Sequence, residues 1–141
     1  MKNLLNQKTF INIYDESGTK IKSIAIDEII PEYKLDKNVD SFCPNIKIDK
    51  NGCIYLVENR YSNTGNDNAS SQIYIFNSDL SYKSTINNIT VSRTHFINIG
   101  NENNIFLMEI SSQILLVDEI DLLTNEIKGQ YEIDNVGTIY G

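Results

Sequence analysis

The sequence predicts an all-β protein assembled from repeated units of four consecutive antiparallel strands. Residues 46–48 and 54–58 recur 51 positions later as residues 97–99 and 105–109, with the same intervening gap. A matched spacing of this kind indicates one supersecondary unit used more than once. Short runs rich in Ile, Tyr, Phe and Val, bounded by Asn, Asp, Ser and Gly, are typical of strands joined by turns.

The first unit is incomplete and contributes two strands. Residues 11–15 and 21–24 match the third and fourth strands of the second unit at an offset of 62. The segment 26–40, which follows, is the only one in which we expect a short helix.

The second and third units are complete. Their third strands match as residues 72–77 and 113–118, at an offset reduced to 41 by a shorter preceding loop. The chain therefore holds about two and a half units, and residues 136–140 are a candidate start of another. The expected strands are 45–49, 53–58, 72–77 and 82–87 in the second unit, and 95–99, 104–109, 113–118 and 127–133 in the third.

The second strand of each complete unit is apolar at every position, at residues 54–57 and 105–108. A strand with no polar face is buried on both sides of its sheet. This pattern favours sheets stacked face to face. A β-sandwich is the alternative fold, and it predicts alternation in most strands.

Three segments carry a resemblance to known repeats. Residues 44–57 resemble the Pro, apolar pair, Asp, Gly turn and Tyr-containing apolar run of six-bladed β-propeller repeats of the NHL and SMP-30 type. Residues 75–77 resemble their third-strand signature, and residues 121–127 resemble the hairpin of quinoprotein-type blades. The resemblance covers about residues 8–134 and implies blade-like sheets.

A closed propeller needs about four to eight blades, more than this chain holds. The resemblance therefore implies a partial propeller with two uncovered terminal faces. We expect the rows of Ile11 and Ile13 at one end, and of Ile105, Leu107 and Leu116 at the other, to be exposed. Either a second copy completes the ring, or a partner protein covers the faces, or the chain is a piece of a longer polypeptide.

Size and charge limit the classes of function. The 141 residues predict a single domain over residues 1–141, and the net charge of −7 disfavours binding to nucleic acid or anionic membranes. The first residues lack the apolar stretch of a signal peptide. We therefore expect a cytoplasmic or virion-associated protein without a membrane partner.

The candidate binding site lies where the long connections meet. In a four-stranded meander the loop between the second and third strands emerges on the same side as the linkers between units, and functional groups concentrate on such loops. Glu58 and Glu109 stand at equivalent positions there, and solvated strand ends are the alternative interpretation. The candidate binding residues are Glu58, Arg60, Tyr61, Arg93, His95 and Glu109.

The sequence predicts no catalytic machinery, metal or cofactor. His95 is the only histidine, and no nucleophile motif accompanies it. The SMP-30 resemblance suggests comparing the repeated Glu with calcium ligands, but no full ligand set can be matched. We expect the acidic residues Asp118, Glu119 and Asp121 to form a solvated edge that discourages sheet aggregation.

The expected function is a non-enzymatic interaction or structural module, completed as a homo-oligomer or by a protein partner. The alternative is a fragment of a propeller hydrolase or lactonase that binds a small molecule or sugar on the long-loop face.

We predict that both cysteines are free thiols. The turn signal Asn51-Gly52 makes residues 45–49 and 53–58 antiparallel neighbours. Cys43 and Cys53 then lie about 15 Å apart or more, whereas a disulfide needs Cα atoms within about 7 Å. Maleimide labelling of the denatured, unreduced protein should add two labels per chain. An unlabelled chain lighter by two hydrogens would show that this register is wrong.

Overall fold

Strands dominate the computed structural model, which describes residues 9–31, 33, 39–62, 69–87, 89, 91, 94, 96–100, 103–111 and 113–134. The all-β prediction is confirmed for these residues. Their single helix spans four residues within the segment where a helix was expected, and no described helix is long and apolar enough to cross a membrane. The elements are β1 (Phe10–Tyr14), β2 (Lys20–Ala25), α1 (Ile26–Ile29), β3 (Val39–Ile48), β4 (Ile54–Ser62), β5 (Ala69–Phe76), β6 (Tyr82–Ile86), β7 (Phe96–Ile99), β8 (Asn104–Ser111), β9 (Ile114–Asp121) and β10 (Glu126–Ile133).

The strands form three antiparallel sheets in chain order. β1 and β2 make a two-stranded sheet, the first hairpin. β3 to β6 make a four-stranded meander, the middle sheet, and β7 to β10 make a second one, the last sheet. The predicted four-stranded antiparallel units are therefore present, preceded by half a unit.

The 51-residue repeat is reproduced in the strand register. Ile46 pairs with Leu56 in the middle sheet, and Ile97 pairs with Leu107 in the last sheet. Both partners are displaced by the same 51 positions, so the two units share the geometry of their first two strands.

The first hairpin corresponds to the third and fourth strands of the middle sheet. Ile11 pairs with Ile24, and Ile73 pairs with Ile86, an offset of 62 on both strands. The register also shifts at the equivalent place, directly after Ile13 in one hairpin and after Ile75 in the other. The incomplete first unit therefore lacks the counterparts of β3 and β4 among the described residues.

The predicted alignment of the third strands is wrong by three residues. Ile54 pairs with Phe76, whereas its equivalent Ile105 pairs with Ile120, so the structural offset is 44 and not 41. Phe76 and Ile120 are both fully buried. Because a shift by an odd number of residues moves each side chain to the other face of the sheet, burial of Ile120 decides this register.

Hairpin turns of one type recur at equivalent places. In the turn after β3, the Asp49 N–H donates to the Cys53 carbonyl and the Gly52 N–H donates to the Asp49 carbonyl, both at 3.0 Å. The fourth residue of such a turn takes a positive φ, which is the geometry of a three-residue hairpin loop. At this fourth position the residues with positive φ are Gly18 (81°), Gly52 (82°), Leu80 (69°) and Asn103 (57°).

The sheets pack face to face and enclose two apolar clusters. One lies between the first hairpin and the middle sheet and includes Leu56, and the other lies between the middle and last sheets and includes Val57. All four residues 54–57 of β4 are buried, so burial on both faces is confirmed for this strand. In β8, Phe106 and Met108 are only half-buried.

The predicted exposed rows are wrong. Ile11, Ile105 and Leu107 are buried in the two clusters, and Ile13 packs against the first cluster. By the alternation of the strand, Leu116 shares the inner face of the last sheet with Leu107. In the first hairpin and the last sheet, the side chains that point away from the middle sheet are therefore those of the residues adjacent in sequence to these.

Both cysteines are free, as predicted. Pairing of Ile48 with Ile54 and of Asn45 with Val57 confirms the hairpin through Asn51 and Gly52. Cys53 consequently lies beside the turn, whereas Cys43 lies midway along β3 and away from it.

The turn geometry predicts different costs for two glycine substitutions. Gly18→Ala and Gly52→Ala both place a Cβ at positive φ, which costs about 1 kcal/mol. The added Cβ meets nothing within 4 Å at Gly18, but it lies 3.0 Å from the Ser78 Cβ at Gly52. Urea unfolding should therefore show a larger loss of stability for Gly52→Ala. Equal losses would contradict the described contact with Ser78.

Candidate functional site

The connections between sheets meet at one end of the middle sheet. Tyr33, which precedes this sheet, donates its hydroxyl to Glu58 at 2.6 Å. Thr94, which follows it, accepts a hydrogen bond from the Asn59 amide at 2.9 Å through its carbonyl oxygen. The long-loop face expected from the meander is therefore the place where polar side chains gather.

A fully buried carboxylate, that of Glu58, organises this end. It accepts hydrogen bonds from the Tyr33 and Tyr74 hydroxyls at 2.6 Å each, from the Arg60 Nε at 2.9 Å and from the Gln72 amide. We refer to these side chains as the Glu58 cluster, namely Tyr33, Glu58, Arg60, Gln72 and Tyr74.

Strand geometry brings the cluster together. Glu58 and Arg60 are two residues apart on β4 and share one face, and Gln72 lies directly opposite Glu58 on β5. The Arg60 guanidinium also lies 5.5 Å from the centre of the Tyr33 ring and donates to the Tyr74 hydroxyl at 3.0 Å. The contact with Tyr33 fastens the linker to the middle sheet.

The surroundings fix the charge of Glu58. Burial alone raises the pKa of a carboxyl, but hydrogen bonds from Tyr33, Tyr74 and Gln72 and the charge of Arg60 outweigh it and lower the pKa of Glu58. Burial and hydrogen bonding to this carboxylate raise the pKa of both tyrosines. The cluster is thus a fixed anion surrounded by donors, a geometry that suits an anchor better than a proton acceptor.

The thiol of Cys43, which neighbours the Glu58 cluster, has low reactivity. Burial, followed by the negative charge of Glu58, raises the pKa of Cys43 to about 12. Because the thiolate is the reactive form of cysteine, Cys43 is a poor nucleophile at neutral pH.

A second buried network lies on the opposite face of β4. The Ser71 hydroxyl donates to the Asn59 Oδ1 at 2.7 Å, and the Thr94 N–H donates to the same oxygen at 3.1 Å. All three side chains are buried. Sequence analysis missed them, because small polar residues next to a strand resemble ordinary loop residues and only the fold brings Thr94 to Asn59.

The structure unites only part of the predicted site. Glu58 and Arg60 are in contact, whereas Tyr61 is on the other face of β4 by strand alternation. Glu109 belongs to the last sheet, on the face that packs against the middle sheet. The solvated-end interpretation is wrong, because β4 continues to Ser62 and both glutamates are buried. Arg93 and His95 lie outside the described residues, and their roles stay predictions.

The expected solvated acidic edge is also wrong at Asp118. Its carboxylate is buried and accepts hydrogen bonds from the Val91 N–H at 2.8 Å and the Gln130 amide at 3.3 Å. A shallow groove of about 240 Å³ opens beside it, lined by Val91, Leu116, Val117, Asp118, Gln130, Tyr131 and Glu132.

Glu119 is similarly enclosed on the outward face of the last sheet. It accepts hydrogen bonds from the Asn104 amide and the Tyr131 hydroxyl, both at 2.8 Å, and lies 3.7 Å from the Lys128 ammonium. Asp121 instead caps the following turn, accepting from the Leu123 N–H at 2.7 Å.

The described residues form no metal centre, and the comparisons with known proteins give no relative that indicates a function. In the described part of the chain, no group of three or more His, Cys, Asp or Glu side chains is arranged to hold a metal ion. Comparison of the chain with protein-family models, curated protein sequences and solved structures gives no significant match. The observations define an all-β antiparallel repeat protein.

The Glu58 cluster predicts a large stability effect. Glu58→Gln removes a fully buried charge that balances the partly exposed Arg60, and breaking such an arrangement costs about 2 to 4 kcal/mol. Glu126→Gln, on the exposed side of β10, is the control and should stay within about 0.5 kcal/mol of the native protein. Urea unfolding at pH 7 measures both changes.

The pH dependence of this effect follows from the lowered pKa of Glu58. A carboxyl whose pKa is lower in the folded state stabilises the fold fully above its unfolded-state pKa, about 4.3, and loses this contribution as the pH falls through the folded-state pKa. The difference between native protein and Glu58→Gln should therefore be constant from pH 7 to about pH 5 and shrink below about pH 4. A difference that grows on acidification would contradict the described hydrogen bonds.

Proposed function

We propose that the chain is a non-enzymatic protein-interaction or structural module, a partial β-propeller whose terminal faces are completed by self-association or by a partner subunit. The observation that supports this is the distribution of exposed apolar side chains. Of the nine large hydrophobic residues exposed among the described residues, eight lie at the two ends of the stack of sheets. At the N-terminal end they are Phe10, Tyr14, Ile21, Ile46 and Ile48, at the C-terminal end Phe96, Tyr131 and Ile133, and the ninth is Leu123 in a turn.

The two ends of the stack present opposite faces of the repeated sheet. Between the middle and last sheets, Tyr55 and Val57 of β4 pack in one cluster with Ile105 and Leu107 of β8. We call the face of a sheet that carries positions like Tyr55 and Val57 its forward face, and the opposite face its backward face. Each described contact between sheets joins a forward face to a backward face.

No described element covers the forward face of the last sheet. Phe106 and Met108 are the equivalents of Tyr55 and Val57 at the 51-residue offset, but they are only half-buried. The N-terminal end of the stack presents a backward face. A further sheet, from a second copy or from another protein, could pack at either end by the contact that the chain already makes twice.

Protein partners fit these surfaces better than other ligands. Stable interfaces bury about 800 Å² on each side, a scale that a sheet face can supply. Head-to-tail contacts between unlike faces give closed rings or open filaments. A larger particle such as a virion is one setting for an assembly of this kind, and the negative charge disfavours nucleic acid.

Light scattering tests the proposal. At concentrations of tens of micromolar the isolated chain should form a dimer or a larger assembly. Ile48→Lys and Ile133→Lys, which place a charge at either end of the stack, should each shift the distribution toward smaller species. Leu123→Lys is the control, because Leu123 is 80% exposed in the β9–β10 turn and belongs to neither end. A monomer in all four samples would overturn the proposed function.

A further inference from the structure

The first hairpin has two strands where each of the other sheets has four. The middle sheet has exposed apolar side chains where two further strands would cover it. Ile46 and Ile48 of β3 are equivalent to Ile97 and Ile99 of β7 at the 51-residue offset. Ile97 is 4% exposed, and Ile99 is half-buried against the second cluster. Ile46 and Ile48 are 48% and 64% exposed.

The difference has a structural cause. The last sheet packs against a middle sheet of four strands, whereas the described elements that pack on the other side of the middle sheet are the two strands β1 and β2 and the short α1 with the residues after it. Register places Ile46 and Ile48 on the same face of the middle sheet as Leu56 and Ile54, which the first cluster covers. Two further strands beside β1 would extend the first hairpin over the uncovered part of this face.

The edge of β1 is the place where such strands would join. In the middle sheet, β5 pairs on one side with β6 and on the other with β4, through Ile73 and Val57 for example. β1 matches β5 in register, yet among the described residues it pairs only with β2. By the 62-residue equivalence, an incoming strand would place its residue equivalent to Val57 opposite Ile11.

We propose that the edge of β1 that no described strand pairs with, together with Ile46 and Ile48, is a slot that accepts a β-hairpin from a partner polypeptide. This proposal rests on the proposed function and names the partner's chemistry. Strand addition of this kind takes affinity from main-chain hydrogen bonds and specificity from alternate side chains. In a second copy, the strands of the required type, β3–β4 and β7–β8, already belong to complete sheets. Among its described strands a second copy thus has no unpaired hairpin of this type, which favours a different polypeptide as the donor of strands one and two of the unit.

The chain itself shows what the donor sequence must be. The strand bonded at this edge position is β4 in the middle sheet and β8 in the last sheet, which read Ile-Tyr-Leu-Val-Glu and Ile-Phe-Leu-Met-Glu over residues 54–58 and 105–109. The donor strand that pairs with β1 should be apolar on both faces. One face would cover the middle sheet, and the other would become part of the N-terminal end of the stack.

A peptide of residues 44–58 with Cys53→Ser, carrying a fluorescent label, is the probe for the full chain. We expect saturable binding by fluorescence anisotropy and slowed hydrogen exchange at residues 10–14. Ile48→Lys should weaken binding at least about tenfold, since it removes a buried apolar contact, whereas Leu123→Lys should leave binding unchanged. Slowed exchange at β10 in place of β1 would overturn the assignment of the slot.

A hairpin fused to the chain provides a second test. It is needed because single hairpins are marginally stable, so the free peptide need not form one. Residues 39–68 are duplicated and fused directly before residue 7, which the 62-residue offset makes equivalent to residue 69. This chain should unfold at a higher urea concentration than the native chain and should bury Ile46 and Ile48. No gain in stability, together with no peptide binding, would overturn the proposal.

The outcomes separate this proposal from the proposed function. Assembly by light scattering without peptide binding or stabilisation by the fused hairpin would reject the slot and keep the interaction module. Competition between the peptide and self-assembly at the Ile48 end would assign the slot to a second copy and overturn the choice of a different polypeptide. Peptide binding that becomes about tenfold tighter when residues 1–8 are deleted would assign the slot to the chain's own N-terminal segment. It would also overturn the choice of a different polypeptide.

Discussion

Burial of β4 on both faces is the constraint on which the rest of the structure depends. Successive side chains of a strand point to opposite sides, so a strand that is apolar at every position needs a covering layer on each side. Leu56 meets the first hairpin and Val57 meets the last sheet. This requirement produces a stack of three sheets. It also makes the ends of the stack apolar, since the terminal sheets carry related strand patterns but have a described neighbour on one side only.

The same strand carries the polar end of the fold. Removal of Glu58 from water is costly, and the donors of Tyr33, Gln72, Tyr74 and Arg60 offset that cost. The cluster therefore joins the linker, β4 and β5 at the end where catalytic groups would be sought. Its carboxylate is already surrounded by donors, so the terminal faces, and not this cluster, are the surfaces that support the proposed function.

The two terminal faces differ in a way that gives the stack a direction. The C-terminal end is a complete four-stranded sheet, whereas the N-terminal end is a hairpin that covers part of the sheet behind it. The contrast between Ile97 at 4% and Ile46 at 48% exposure measures this asymmetry at equivalent positions. Within the proposed function, a direction of this kind allows head-to-tail association between unlike ends as well as a two-fold contact between like ends.

The sequence by itself determined the number and order of the strands and the pairing of β3 with β4 through the Asn51-Gly52 turn, because a short turn sets hairpin register locally. Only the tertiary structure decided the third-strand offset, since loops of different length precede that strand and the burial of Ile120 selects the register. It also decided which row of each terminal sheet faces inward, because alternation defines two faces without stating which one a neighbour covers. The contact of Tyr33 with Glu58 joins residues 25 positions apart, and no local pattern encodes such a pair before the sheets have packed.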